Sequence, residues 1–202
     1  MSSYVAIANR AAVLIGTASR LTDPTDDTPL GRAVSAVYEI ERKAALRAGA
    51  WNFAIKRKAL PALVAAPAFG FARAFEVPPD FLKLIEVRGI DRARYQIEGR
   101  KILSDAAAPL QIRYLADIRE PALFDASFTE CFAIRIAITI GNQIAGSSFD
   151  EGLNWQKYRL ALRDAGRNDA LENPGIEQEE SDWLLARERG ADSGYFAAGV
   201  AP

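Results

Sequence analysis

Few residues in this chain have the types and spacing for chemistry, and each has a structural use beside it. Asp23-Pro24-Thr25-Asp26-Asp27 gathers carboxylates as a cation loop would. It lacks the D-x-[DN]-x-[DN]-G spacing and the closing acidic ligand of a calcium loop, so it reads as a solvated turn before a helix cap. Lys56-Arg57-Lys58 stands beside Trp51 and Phe53, and cations interleaved with aromatics can hold a single nucleic-acid strand. On an alternating strand, Lys56 and Lys58 fall opposite Trp51, Phe53 and Ile55, the pattern of a solvated sheet face over a core. Cys131 lies in an apolar run and reads as a buried structural thiol. As the single cysteine it allows neither an internal disulfide nor a multi-cysteine zinc site. The absence of histidine removes His-based triads, His-ligated metals and the commonest general base. Acidic residues are plentiful, but no spacing singles out a pair for glycoside hydrolysis. Phosphate-cradling glycine loops and the nucleophile-elbow motif are also missing. These residues assign no catalytic, cofactor or metal site.

The elements that would position any site can be read in order. Ser2 or Ser3 caps a first helix to about Ile15, with Gly16 as its stop. Thr28 caps a second, with Pro29 at its first position and Gly49 at its end. From Trp51 the period becomes two, and Trp51-Phe53-Ile55 reads as a strand with one buried face. FGFARAFEVP reads as a second strand with Phe71, Arg73, Phe75 and Val77 on one side. Leu82 to Arg88 follows as a third, Tyr95 to Leu103 as a hairpin with Glu98-Gly99 at its tip, and Leu110 to Leu115 as another strand. Ser127 and Glu130 have capping-box spacing for a helix to Gly146 that is apolar almost all round, and must be enclosed by other elements or other subunits. Ser148 to Glu151 repeats that spacing. It opens an amphipathic helix to about Leu171 with Leu153, Tyr158, Leu160 and Leu162 apolar. The expected class is α+β: a bundle of about four helices, a β-rich insert and an extended C-terminal tail. The boundaries are 1–50, 51–121, 122–172 and 173–202.

Net charge is −1, which by itself argues for neither nucleic acid nor membrane as a partner. The distribution is uneven, with a basic 51–121 and an acidic run from Asp169 to Asp182. These could pair with each other between neighbouring subunits. No uncharged apolar run approaches the ~20 residues a bilayer needs, and MSSYVAIANR has no secretory pattern. A reducing cytoplasm is the expected folding compartment. Trp183, Tyr195 and Phe196 sit in a stretch too small and polar to bury them locally, which suggests another surface.

The segments ALRAGAWNFAIKRKAL, FEVPPDFLKLIEV, Y-x-I-E-G-x-x-I-L, LQIRYLADI, LFDASFTECFAIRIAITIGNQIAGS and LALRDAGRNDALENP occur in that order. Together they resemble the tail tubular protein A family of short-tailed bacteriophages, over roughly residues 3 to 186. The resemblance implies a virion protein without enzymatic activity or cofactor, assembled in the host cytoplasm. It would form a twelve-subunit ring between the portal protein and the tail nozzle, around a DNA channel whose face could touch the DNA. It makes Trp183, Leu184, Leu185, Tyr195 and Phe196 the portal-docking candidates. In the insert, Phe71, Phe75, Tyr95 and Arg100 become candidates for tail or subunit contact. Arg135, stranded among isoleucines, is expected to be a subunit contact or a paired buried residue. The stretch after Gly190 departs from the family's pattern. A cell-wall hydrolase carried on a tail, and a nucleic-acid-binding module using the basic insert, are the alternatives.

Overall fold

The computed structural model describes residues 2–172. Its elements are α1 (Tyr4–Ile15), α2 (Pro29–Ala48), β1 (Ile55–Leu60), β2 (Arg73–Glu76), β3 (Phe81–Val87), β4 (Tyr95–Glu98), β5 (Lys101–Ser104), β6 (Leu110–Ala116), α3 (Ala126–Ala145) and α4 (Glu151–Glu172). The chain divides into two units after Asp169, and the description below concerns the first. It is an α+β arrangement of helices and two antiparallel three-stranded sheets, ordered β1-β6-β3 and β2-β5-β4.

Local chemistry explains where the helices begin and end. Ser3 Oγ accepts the amide of Ala6 at 3.1 Å, and Gly16 takes the left-handed conformation (φ 84°) that closes α1. Thr28 Oγ1 accepts the Gly31 amide at 3.0 Å and sets the start of α2. Both later caps differ from the expected boxes. Asp125, not Ser127, caps α3, its Oδ1 accepting the amides of Ser127 at 2.7 Å and Phe128 at 3.3 Å. Glu130 is then free to face α1, where Arg10 grips it in a fork at 2.8 and 2.7 Å. At α4, Asp150 Oδ1 accepts the Leu153 amide, while Ser148 is spent in a 3-10 turn. In each case an aspartate two residues off the expected position supplies the carboxylate that orphan helix amides need.

The strand expected from Trp51 starts four residues later. Trp51 folds back over the end of α2, donating from Nε1 to the Ala45 carbonyl at 3.0 Å, and residues Asn52–Ala54 form a 3-10 turn. A side chain on Gly49 would place its Cβ 2.7 Å from the indole, so the fold-back needs glycine there. Trp51 then meets Phe128 edge-on, with ring centroids 5.1 Å apart. The face assigned to Lys56 and Lys58 also changes. Both pair in register with Tyr114 and Ile112, which are buried, and Leu60 on the same face pairs with Leu110. The lysines stay exposed because β1 is the edge of its sheet.

α3 is the helix the others surround. Phe128, Cys131, Phe132, Ile134, Ile136 and Ile140 are all buried, with α1 and α2 packed against it. Full burial of each such side chain contributes about 1.5–3 kcal/mol. Helices and sheets are joined by a buried charge. Arg42 of α2 has no solvent exposure. Its Nη1 donates to Asp117 Oδ1 and to the Ile118 carbonyl, just beyond β6, while Nη2 reaches Glu39 at 2.7 Å. Burial works to raise the Asp117 carboxyl's pKa, but the Arg42 hydrogen bond and charge outweigh it and hold it below the ordinary value.

Arg42→Ala should lower stability by about 3–5 kcal/mol in urea denaturation, because it leaves the largely buried Asp117 with only the longer, exposed Arg119 contact at 3.5 Å. The same pair fixes an acid dependence. A depressed folded pKa contributes stability above the unfolded value of about 3.9, lost as pH falls through the folded value. Asp117→Asn should therefore flatten the acid limb of the stability–pH curve, and an unchanged limb would assign that limb to other carboxylates.

Candidate interaction surfaces

Arg135, stranded among isoleucines in the sequence, has its partners within the chain. Its Nε donates to Glu41 Oε2 of α2 at 2.7 Å, Thr139 Oγ1 donates to Glu41 Oε1 at 2.9 Å, and the guanidinium lies 5.5 Å from the centroid of the Tyr158 ring of α4. Burial opposes the Arg135 charge, but the Tyr158 hydroxyl and Glu41 carboxylate outweigh it and raise its pKa. One cation thus touches three helices, and of the two expectations for Arg135 the paired one describes this geometry.

α4 turns inward only part of the apolar set read from its sequence: Tyr158 is buried and Leu162 packs partly buried on the core. Asn154, Tyr158 and Ala165 are buried, at four- and seven-residue spacing, whereas Leu153 and Leu160 on a neighbouring flank are 45% and 51% exposed. Trp155 is 38% exposed on the other flank, its Nε1 directed to Glu151 at 3.3 Å. Tyr158 takes the inward position with its ring against the partly buried Arg135 cation, a contact leucine cannot make. In the turn between α3 and α4, the Phe149 ring lies so close to Gly141 that no Cβ fits there.

The insert separates residues that alternation grouped together. Phe75 is fully buried, paired in register with Ile102, and offers nothing to a neighbour, which corrects its assignment as a contact residue. β2 begins only at Arg73, so Phe71 belongs to the preceding loop. There it is half-buried against a cavity of about 530 Å3, whose rim includes the fully exposed Phe69. Arg73 leaves the core by donating to the carbonyls of Asp105 and Ala106 at 2.9 and 3.1 Å. Tyr95 packs partly buried on the core. Arg100 sits in the β4–β5 turn after Gly99 (φ 56°), and its Nη2 holds the Pro78 carbonyl at 2.7 Å.

One polar cluster escaped the sequence reading. Asp80 accepts Tyr114 Oη at 3.0 Å and Lys56 Nζ at 2.7 Å, which joins the Pro-Pro-Asp turn to both β1 and β6. Burial raises and these two bonds lower the Asp80 pKa, which lies below its ordinary value, while burial and Asp80 together push the Tyr114 phenol up to about 12. The only signal was the turn motif itself. Burial likewise pushes the Cys131 thiol up to about 12, so it stays protonated and unreactive. The acidic turn serves its own backbone: Asp26 Oδ2 accepts the amides of Thr22 and Asp23, and Asp23 Oδ1 that of Thr25. Among the described residues no three metal-ligating side chains converge, and no helix is long and apolar enough to cross a membrane. Trp183, Leu184, Leu185, Tyr195 and Phe196 lie outside the described residues.

A double-mutant cycle on Glu41→Gln and Arg135→Met should give a coupling of about 1–3 kcal/mol in urea denaturation, since the partners share one buried contact. Arg135→Met alone should also speed hydrogen exchange across residues 151–169. Additive effects, or unchanged exchange, would mean that this cluster does not hold α4.

No family model matches the chain and no curated protein matches it, so its function rests on the surfaces themselves.

Proposed function

We propose that this chain is a structural head-to-tail adaptor of a short-tailed phage virion, one subunit of a ring between portal and tail nozzle around the DNA ejection channel. The order of elements supports the reading, with helices on either side of a strand-rich insert as in the family that the sequence resembles. In this reading the four helices are a bundle with α4 outermost, and residues 173–202 are an extended tail carrying the portal-docking Trp183, Leu184, Leu185, Tyr195 and Phe196.

The observation that carries the proposal is the flank of α4. Leu153 and Leu160 share one line of the helix, about half exposed, while the charged residues the helix might need inside are already satisfied. A heterologous ring covers such a patch by repeating one contact around its axis. Docking of the tail would add aromatic anchors to the assembly.

Mixing the purified chain with the portal protein of the same virion should yield a ring complex by mass photometry and negative-stain microscopy. Leu153→Glu with Leu160→Glu should abolish the ring while moving the urea midpoint little, since exposed substitutions typically cost within ~0.5 kcal/mol. Truncation after Asn173 should weaken portal docking; docking at full strength would sink the tail assignment, and a ring that survives the glutamates would sink the α4 assignment.

A further inference from the structure

β1 is a free edge of its sheet. β6 takes one side, and among the described residues no backbone group bonds to the other. Lys56, Arg57, Lys58 and Ala59 along it are exposed. Lys56 is engaged by Asp80, but Arg57 and Lys58 make no ion pair among the described residues. Arg57 stands directly opposite Arg113 on β6, and like charges so opposed are destabilising. Arg113 has Glu86 at 3.0 Å on its far side, while its Nε is buried without a hydrogen-bond partner. At its C-terminal end the edge runs into an open groove of about 550 Å3, walled mainly by Leu60, Pro61, Pro78 and Pro79, with Lys58, Arg100 and one acid, Glu76, also lining it.

Lysines on an edge strand ordinarily guard against unwanted pairing. β1 goes beyond that use. Its cations lie on both faces of the strand, one of them is set against another arginine, and an apolar groove continues the edge. The other edges differ. β3 carries both Lys83 and Glu86, β4 carries Gln96 and Glu98, and the outer side of β2 is taken by Ala62 and Leu63, whose amide reaches the Ala74 carbonyl at 2.8 Å.

We infer that the β1 edge receives an extended, acid-rich segment of a partner protein by strand addition. Main-chain hydrogen bonds would form along Ile55–Leu60, and an apolar side chain would enter the groove beyond Leu60. Arg57 and Lys58 point to opposite faces, so the partner must carry two adjacent acidic residues, not alternate ones. The carboxylate on the Arg57 side would neutralise the guanidinium that Arg113 opposes from the other side of β1. A nucleic acid would use the cations but neither the open main-chain edge nor the groove, which favours a polypeptide.

The test uses the full-length chain and a fluorescein-labelled peptide TVEEVLVT, followed by anisotropy and by hydrogen exchange. The peptide should bind saturably and slow exchange over residues 55–60. Arg57→Glu with Lys58→Glu should weaken binding by about tenfold or more. The same variant should bind TVKKVLVT better than the unaltered chain does, a gain that a merely misfolded variant cannot show. Three results would overturn the inference. One is binding of TVEEVLVT by the reversed variant as tightly as by the original, and another is full competition by a short DNA duplex while exchange over 55–60 stays unchanged. Slow exchange before any peptide is added, at those amides of 55–60 that β6 does not hold, would mean that a second copy already covers the edge. No portal protein enters the assay, so its failure leaves the ring reading standing, and the reverse holds too.

Discussion

A guanidinium with no contact to solvent decides how the two halves of this fold meet. Arg42 leaves α2 at a point where an ordinary helix would present an apolar side chain, and it is satisfied by Asp117 and the Ile118 carbonyl just past the last strand. Desolvating such a charge is costly unless its donors are met with good geometry. The position of α2 against the end of β6 is therefore tightly specified. Apolar packing alone tolerates small slips, and a buried fork does not. Glu39, one turn earlier on the same helix, completes the set from the solvent side.

The same logic recurs on the other side of α3. Glu41 points inward next to Arg42, and its carboxylate collects Arg135 and Thr139 from α3. Tyr158 then lays its ring against the Arg135 guanidinium. Two adjacent residues of α2 thus organise two separate contacts, Arg42 toward the sheets and Glu41 toward α3 and α4. α3 has a nearly continuous apolar surface, and an aromatic set of Trp51, Phe53, Phe124 and Phe128 closes its N-terminal end.

The surfaces left over are unequal. α4 turns Tyr158 inward and leaves Leu153 and Leu160 half exposed, while the β1–β6–β3 sheet ends in an edge whose Arg57 and Lys58 make no ion pair among the described residues. The first needs a cover of apolar surface and the second needs negative charge and a main chain. Under the two proposals made above, they would take two different kinds of contact.

The sequence by itself determined α1 and α2 with their caps, the hairpin at Gly99, the strands near residues 81–87 and 110–116, and the burial of α3. Each rests on a short-range rule: a side chain bonding a nearby amide, a glycine at positive φ, or a period of two or 3.6. Tertiary structure decided what those rules leave open. Trp51 reads as the first residue of a strand until Ala45 offers its carbonyl across the helix end. Phe71 and Phe75 share a parity that has no meaning until β2 is known to begin at Arg73. Tyr158 displaces two leucines from the inner face of α4 only because Arg135 waits there, held by a glutamate 94 residues away in sequence. Alternation shows which residues share a face. Which face is buried depends on partners distant in the chain, and for buried charges a single distant partner is enough to decide it.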